Sequence, residues 1–104
     1  MTMEAVKVIT QAIKNTLNPQ KIVLFGSQAK GTSSHLSDID IAVIQEQNPR
    51  LKQKAKIYLE LERLGYNWLV DPDIHLFSAK DFEKKLKEKD LFALEISKGK
   101  FLYG

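Results

Sequence analysis

The sequence predicts an α/β (α+β) fold in which a small mixed β-sheet is flanked by helices. Three observations carry that expectation. Apolar residues recur at helical spacing in Val6, Ile9, Ile13 and Leu17. Compact apolar runs of strand length lie at 22–25, 41–44 and 74–77. Between these blocks stand residues that stop helices and turn chains: Asn18-Pro19, Asn48-Pro49 and Gly65.

The elements follow in order. The first helix closes at Asn18-Pro19, ahead of a strand over Lys21 to Phe25, and a second strand spans Asp38 to Ile44. Asn48-Pro49 then opens a long helix running to about Leu64, because proline suits the first turn and glycine, here Gly65, the position after the last. Leu69 to Phe77 forms the third strand. Ser78-Ala79-Lys80-Asp81 fits a capping box, and Phe77 with Phe82 fits a hydrophobic staple, so a helix begins at Ala79. Asp90 caps a last short helix ending near Gly99, and Lys100 to Tyr103 adds an edge segment. No internal repeat or low-complexity linker interrupts the chain, and its 104 residues are expected to form one domain, 1–104.

The long helix carries two apolar stripes. At about 100° per residue, Leu51, Ala55, Tyr58 and Leu59 gather on one side, while Ile57, Leu61 and Leu64 gather well over a quarter-turn away. One stripe can cover the sheet. The other is either part of a broad core-facing surface or a contact surface for a partner or a second copy. Arg50, Lys52, Lys54 and Lys56, like Lys84, Lys85, Lys87 and Lys89, read as solvated helix faces, with steering of an acidic partner or RNA as the alternative.

Composition narrows the chemistry. There is no cysteine, which excludes both a disulfide framework and a thiolate site. The formal charge of +3 suits an anionic substrate without implying nucleic-acid binding. Met1 to Thr10 contains Glu4 and Lys7 and lacks the apolar segment of a signal peptide, and no run has the length of a bilayer span, so the expected location is the cytoplasm.

Two short motifs carry the functional signal. Gly26-Ser27 follows the apolar run 22–25, where glycine permits backbone angles closed to other residues and lets a ligand approach the main chain. Ser27 offers a hydroxyl to a phosphate oxygen, Lys30 adds a mobile positive charge, and a helix opening at Gln28 would aim its free N–H groups at the same spot. Then comes Ser37-Asp38-Ile39-Asp40. Alternation along a strand points Asp38 and Asp40 to one face, and like charges held that close raise each other's pKa unless a cation neutralises them. Mg²⁺ prefers oxygen ligands and commonly takes one or two protein carboxylates, completing its shell with water and phosphate. Taken alone, the first motif also fits an ordinary turn and the second a solvated strand start. Their order and spacing make them two halves of one site for a polyphosphate held by divalent metal.

Gly26-Ser27, Ala29-Lys30-Gly31 and Ser37-Asp38-Ile39-Asp40-Ile41 together resemble the signature of the DNA polymerase β-like nucleotidyltransferase superfamily. More closely, the chain is similar to the minimal nucleotidyltransferase (MNT) domains, antitoxin partners of HEPN-domain toxins. The resemblance covers nearly the full length, including the closing segment Glu95 to Tyr103. One departure is Lys30, where family members often carry arginine; lysine keeps the charge but loses the bidentate fork.

The resemblance implies a polymerase β-like palm fold, ATP or another nucleoside triphosphate as substrate, two Mg²⁺ ions, and a third carboxylate on a later strand. In Asp71-Pro72-Asp73-Ile74-His75 the period-two pattern puts Asp71, Asp73 and His75 on one face. Asp73 is the preferred candidate, because it heads the unbroken run 74–77 whereas Asp71 precedes a proline, which belongs at a strand edge or start. A turn built on Asp-Pro-Asp fits the same residues. The implied site is therefore Asp38, Asp40 and Asp73 as catalytic residues and metal ligands, with Gly26, Ser27, Lys30 and Ser37 holding nucleotide.

His75 shares the face of Asp73 and either touches substrate or is an ordinary strand residue. His35 is expected in solvent, and Tyr66 and Trp68 are expected to pack rather than to stack on a ligand. So short a chain leaves little with which to bind a second substrate, which points to an acceptor brought by a partner protein, with transfer to a small molecule in a pocket completed by a second copy as the alternative. The resemblance implies a HEPN toxin whose tyrosine receives AMP. Neutralisation by occlusion alone is the competing class.

Overall fold

The computed structural model describes residues 3–26, 39–68 and 71–104. In chain order these form helix α1 (Met3–Thr16), strands β1 (Pro19–Phe25) and β2 (Ile39–Gln45), helix α2 (Leu51–Arg63), strand β3 (Pro72–Ser78), helices α3 (Ala79–Lys87) and α4 (Leu91–Ser97), and strand β4 (Lys100–Tyr103). The strands make one mixed sheet in the order β3-β2-β1-β4. β1 is antiparallel to both β2 and β4, whereas β2 and β3 run parallel. A parallel pair needs a crossover, and α2 supplies it.

Period-two alternation gives the sheet two buried faces. Ile22, Leu24, Ile39, Ile41, Val43 and Ile74 pack against Ile9, Ala12 and Ile13 of α1 and Ile57 and Leu61 of α2. Val23, Phe25, Ala42 and Ile44 pack on the other face against Phe82 of α3 and Ala93 and Ile96 of α4. The mixed sheet flanked by helices is the fold class expected from sequence.

The local signals act as their chemistry suggests. Ser78 Oγ accepts from the Asp81 N–H at 3.1 Å, and the Phe77 and Phe82 rings meet at 5.6 Å, so the cap and staple of α3 both form. Asp90 Oδ2 accepts from Ala93 N–H at 3.0 Å and starts α4. At the end of α2, Gly65 N–H donates to Glu62 O and Tyr66 N–H to Leu61 O, a Schellman closure that uses φ +81° at Gly65. β4 lies at the sheet edge as anticipated. Tyr66 and Trp68 pack ring to ring at 4.9 Å.

Some boundaries move. The third strand begins at Pro72 rather than Leu69, with 69–70 outside the described residues and Asp71 ahead of the strand. The start of β2 is described from Ile39, so Asp38 lies outside the described residues. The broad core-facing surface considered for the long helix forms only in part, with Tyr58 of the other stripe packed on the same core. Ile57 and Leu61 are buried, whereas Leu51 is fully exposed and Leu59 is 66 % exposed. A buried contact not anticipated from sequence ties α2 to β2: Gln45 Nε2 donates to Gln53 Oε1 at 3.0 Å, and Gln53 Nε2 returns a bond to Gln45 Oε1 at 3.2 Å. Each amide satisfies the other, as burial requires.

Helices α1 and α2 are also linked at the surface. Asn15 Nδ2 donates to Glu60 Oε2 at 2.7 Å, and Arg63 Nε and Nη2 grip the same carboxylate at 2.7 Å each. The Arg63 bonds, then the Asn15 bond, hold the Glu60 carboxyl down at about 2, against an ordinary value of 4.5. A depressed carboxyl contributes stability that is complete above its unfolded value and lost as pH falls through the folded one. Thermal melts should therefore separate wild type from Glu60→Gln at neutral pH, and that gap should close between about pH 4.5 and about pH 2.

Candidate active site

The site is set by strand pairing. In the parallel β2–β3 ladder Asp40 stands abreast of Asp73, and in the antiparallel β1–β2 ladder Asp40 stands abreast of Phe25, the residue before Gly26. Ile39 and Ile41 point into the α1–α2 face, so Asp40 projects to the other. Asp73 and His75 flank Ile74 in the same way and reach that face too. The Asp40 side chain is 27 % exposed and that of Asp73 51 % exposed. Of the two candidates for a third carboxylate, it is Asp73 that comes into register with Asp40; Asp71 precedes the strand.

His75 closes the cluster. Its Nε2 lies 3.3 Å from Asp73 Oδ2 and 3.8 Å from Asp40 Oδ1, yet it makes no hydrogen bond and is buried. The first of those distances is within reach of a hydrogen bond, but the alignment fails, and alignment decides. One ligand atom from each of Asp40, Asp73 and His75 falls within 4.8 Å of the others. That is a set of oxygen and nitrogen donors able to hold a divalent cation. The imidazole is seated between rings, with Phe25 at 5.5 Å and Phe92 at 5.2 Å.

Two tyrosines support the start of β3. The Tyr58 hydroxyl of α2 donates to Pro72 O at 2.7 Å, next to Asp73. Burial raises the Tyr58 pKa, a bond from the Ile74 backbone opposes this, and the charges of Asp73 and Asp71 raise it further. Tyr66 is pushed up to about 12 by burial and then by Asp71. Both stay protonated at neutral pH.

Gly26 has φ +77°, a conformation that suits glycine, and a Cβ there would lie 2.6 Å from Asp40 Oδ2. The turn and the carboxylate thus need glycine for two separate reasons. Gly26 also lines a depression of about 510 Å³ with Leu91, Leu94, Glu95, Lys98 and Lys100. A second depression, about 530 Å³, meets the cluster at His75 and includes Leu51, Leu76, Phe77 and Phe92. Gly26 and His75, on either side of the carboxylates, thus each line a hollow of mixed apolar and basic residues, the first with Lys98 and Lys100 and the second with Arg50 and Lys54.

Residues 7–104 of the chain match the family model described as "Polymerase beta, Nucleotidyltransferase". The chain belongs to this nucleotidyltransferase family. It is also 35 % identical over 71 residues to a protein of Methanocaldococcus jannaschii named "Putative protein adenylyltransferase MJ0141", a match covering 66 % of this chain and 70 % of the relative. Enzymes of the nucleotidyltransferase class act on a nucleoside triphosphate and typically use divalent metal, and the Asp40, Asp73 and His75 donors fit such an ion.

Of the residues expected at the site, the structure brings together Gly26, Asp40 and Asp73. Ser27, Lys30, Ser37 and Asp38, like His35, lie outside the described residues. Sequence reasoning passed over Phe92, Lys98 and Lys100. Their one signal was the return of the closing segment onto β1, which pairs Lys100 with Leu24, two residues before Gly26. No described helix is long and apolar enough to cross a membrane.

Gly26→Ala should separate the two demands on that glycine when compared with Gly65→Ala. Each alanine meets a positive φ, worth about 1–2 kcal/mol in denaturant unfolding. Gly65 has nothing within 4 Å of the added carbon, so only Gly26→Ala should also displace Asp40 and abolish nucleotidyl transfer.

Proposed function

We propose that this chain transfers AMP from ATP to a hydroxyl of a protein acceptor, releasing pyrophosphate, and that the acceptor is a tyrosine of a HEPN-domain toxin to which the chain is antitoxin. The observation that carries the reading is Asp40 abreast of Asp73 beside the Gly26 turn. The name of the archaeal relative favours a protein acceptor. The hollow at His75, where the exposed Leu51 and Phe92 stand with Arg50 and Lys54, offers a surface on which such an acceptor could dock.

In this reading Gly26, Ser27, Lys30 and Ser37 hold the triphosphate, with Lys98 and Lys100 adding positive charge on the Gly26 side. Asp38, Asp40 and Asp73 hold two Mg²⁺, which when bound supply charge neutralisation at the acceptor oxygen and the leaving pyrophosphate. Asp73, the more exposed carboxylate, takes the proton of the acceptor hydroxyl. The acceptor oxygen forms a bond to the α-phosphorus, and the bond from that phosphorus to the α,β-bridging oxygen breaks. The reaction takes place in the cytoplasm.

Transfer of label from α-labelled ATP to the co-purified partner tests this. Asp73→Asn should slow labelling by about 100-fold or more, the usual contribution of a positioned general base. Asp40→Asn should do the same while both variants keep the wild-type melting temperature and still form the complex. Toxin neutralisation that survives either substitution would instead identify occlusion as the mechanism.

A further inference from the structure

We propose that His75 is a direct ligand of one of the cations at this site, and that its nitrogen makes that position bind first-row transition cations more tightly than carboxylates alone would. This deepens the nucleotidyl-transfer reading and rests on it for the presence of a cation.

Geometry provides the first argument. Nε2 is buried without a hydrogen-bond partner while the Asp73 and Asp40 oxygens converge on it at 3.3 and 3.8 Å. A buried polar atom left unsatisfied costs about 1–3 kcal/mol. A cation shared with those two carboxylates removes that cost for the nitrogen and the like-charge repulsion for the oxygens in one step.

The second argument is the seat of the ring. Phe25 and Phe92 lie at 5.5 and 5.2 Å from the imidazole, and Phe92 also meets Phe25 at 5.4 Å and Phe77 at 6.3 Å. Swinging the whole ring away from the carboxylates would break those contacts. Phe92 is 43 % exposed, a large apolar ring left at the surface. Its place beside the imidazole accounts for it.

Donor chemistry gives the selectivity. Magnesium requires near-ideal octahedral geometry, favours oxygen and keeps its waters. Imidazole suits iron, nickel, copper and zinc, and affinities of mixed nitrogen and oxygen sites rise from manganese to copper, with manganese the weakest of the series. Two carboxylates and one imidazole on adjacent strands therefore make a site of different preference from one built of carboxylates alone.

Manganese added to the full-length chain, with neither nucleotide nor acceptor, is the probe. The chain has two histidines, so His35→Gln leaves His75 as its sole imidazole. Pulsed electron paramagnetic resonance of that variant should show a directly bound nitrogen whose coupling changes on ¹⁵N-histidine labelling. His75→Phe, which keeps a ring between Phe25 and Phe92, should lose the coupling. In magnesium competition its preference for manganese should fall by at least about tenfold, the low end of what losing even an outer-shell partner costs. No nitrogen coupling in the His35→Gln protein, or coupling that persists in His75→Phe, overturns the assignment. Nitrogen ligation in a chain that transfers no AMP would leave His75 a ligand and remove the proposed reaction. Transfer without nitrogen ligation would do the reverse.

Discussion

Two carboxylates stand side by side on neighbouring parallel strands because the core leaves the strands no other register. Asp40 and Asp73 face each other only while Ile39, Ile41, Val43 and Ile74 all point to the α1–α2 face. A slip of one residue would turn Ile74 out of the core and bring Asp73 in. Burying one isoleucine is worth about 1.5–3 kcal/mol, whereas two unit charges 4 Å apart in water repel by about 1 kcal/mol. Hydrophobic pairing therefore wins, and the two carboxylates are held abreast. The Tyr58 bond to Pro72 adds about 0.5–1.5 kcal/mol to the same register. The carboxylate pair follows from the packing beneath it.

The surroundings of the pair follow from the same sheet. β1 lies between β2 and β4, so its end brings Gly26 against Asp40 on one side and the closing segment on the other. The short helix α4 crosses the second face, setting Phe92 toward His75 at one end and, just past its other end, Lys98 toward the Gly26 hollow. One seven-residue helix thus touches both hollows.

Much of this was legible in the linear sequence, for physical reasons that differ by element. Ser78 and Asp90 act on backbone N–H groups three residues away, so their helices could be read locally. Glycine before a polar stretch and aspartates two apart likewise report strand ends without tertiary information. The choice between Asp71 and Asp73 was harder, since local pattern puts both on one face; the pairing of β3 with β2 decides which of them meets Asp40. The two stripes of α2 could not be ranked from periodicity, because Leu51 and Ile57 are equally apolar and the crossover geometry selects which one is buried. The Gln45–Gln53 pair and the seat of His75 were invisible for the same reason. Each depends on partners brought together by the fold.

The central claim is that Asp40 and Asp73, held abreast by the β2–β3 register, form the metal and α-phosphate site of a nucleotidyltransferase. A crystal structure of the chain with an α,β-nonhydrolysable ATP analogue and manganese, phased at the manganese edge, addresses it directly. The account predicts anomalous density bound by both carboxylates and in contact with the α-phosphate, with the rest of the triphosphate beside Gly26. Manganese and triphosphate bound on another surface, with neither carboxylate as ligand, would contradict it.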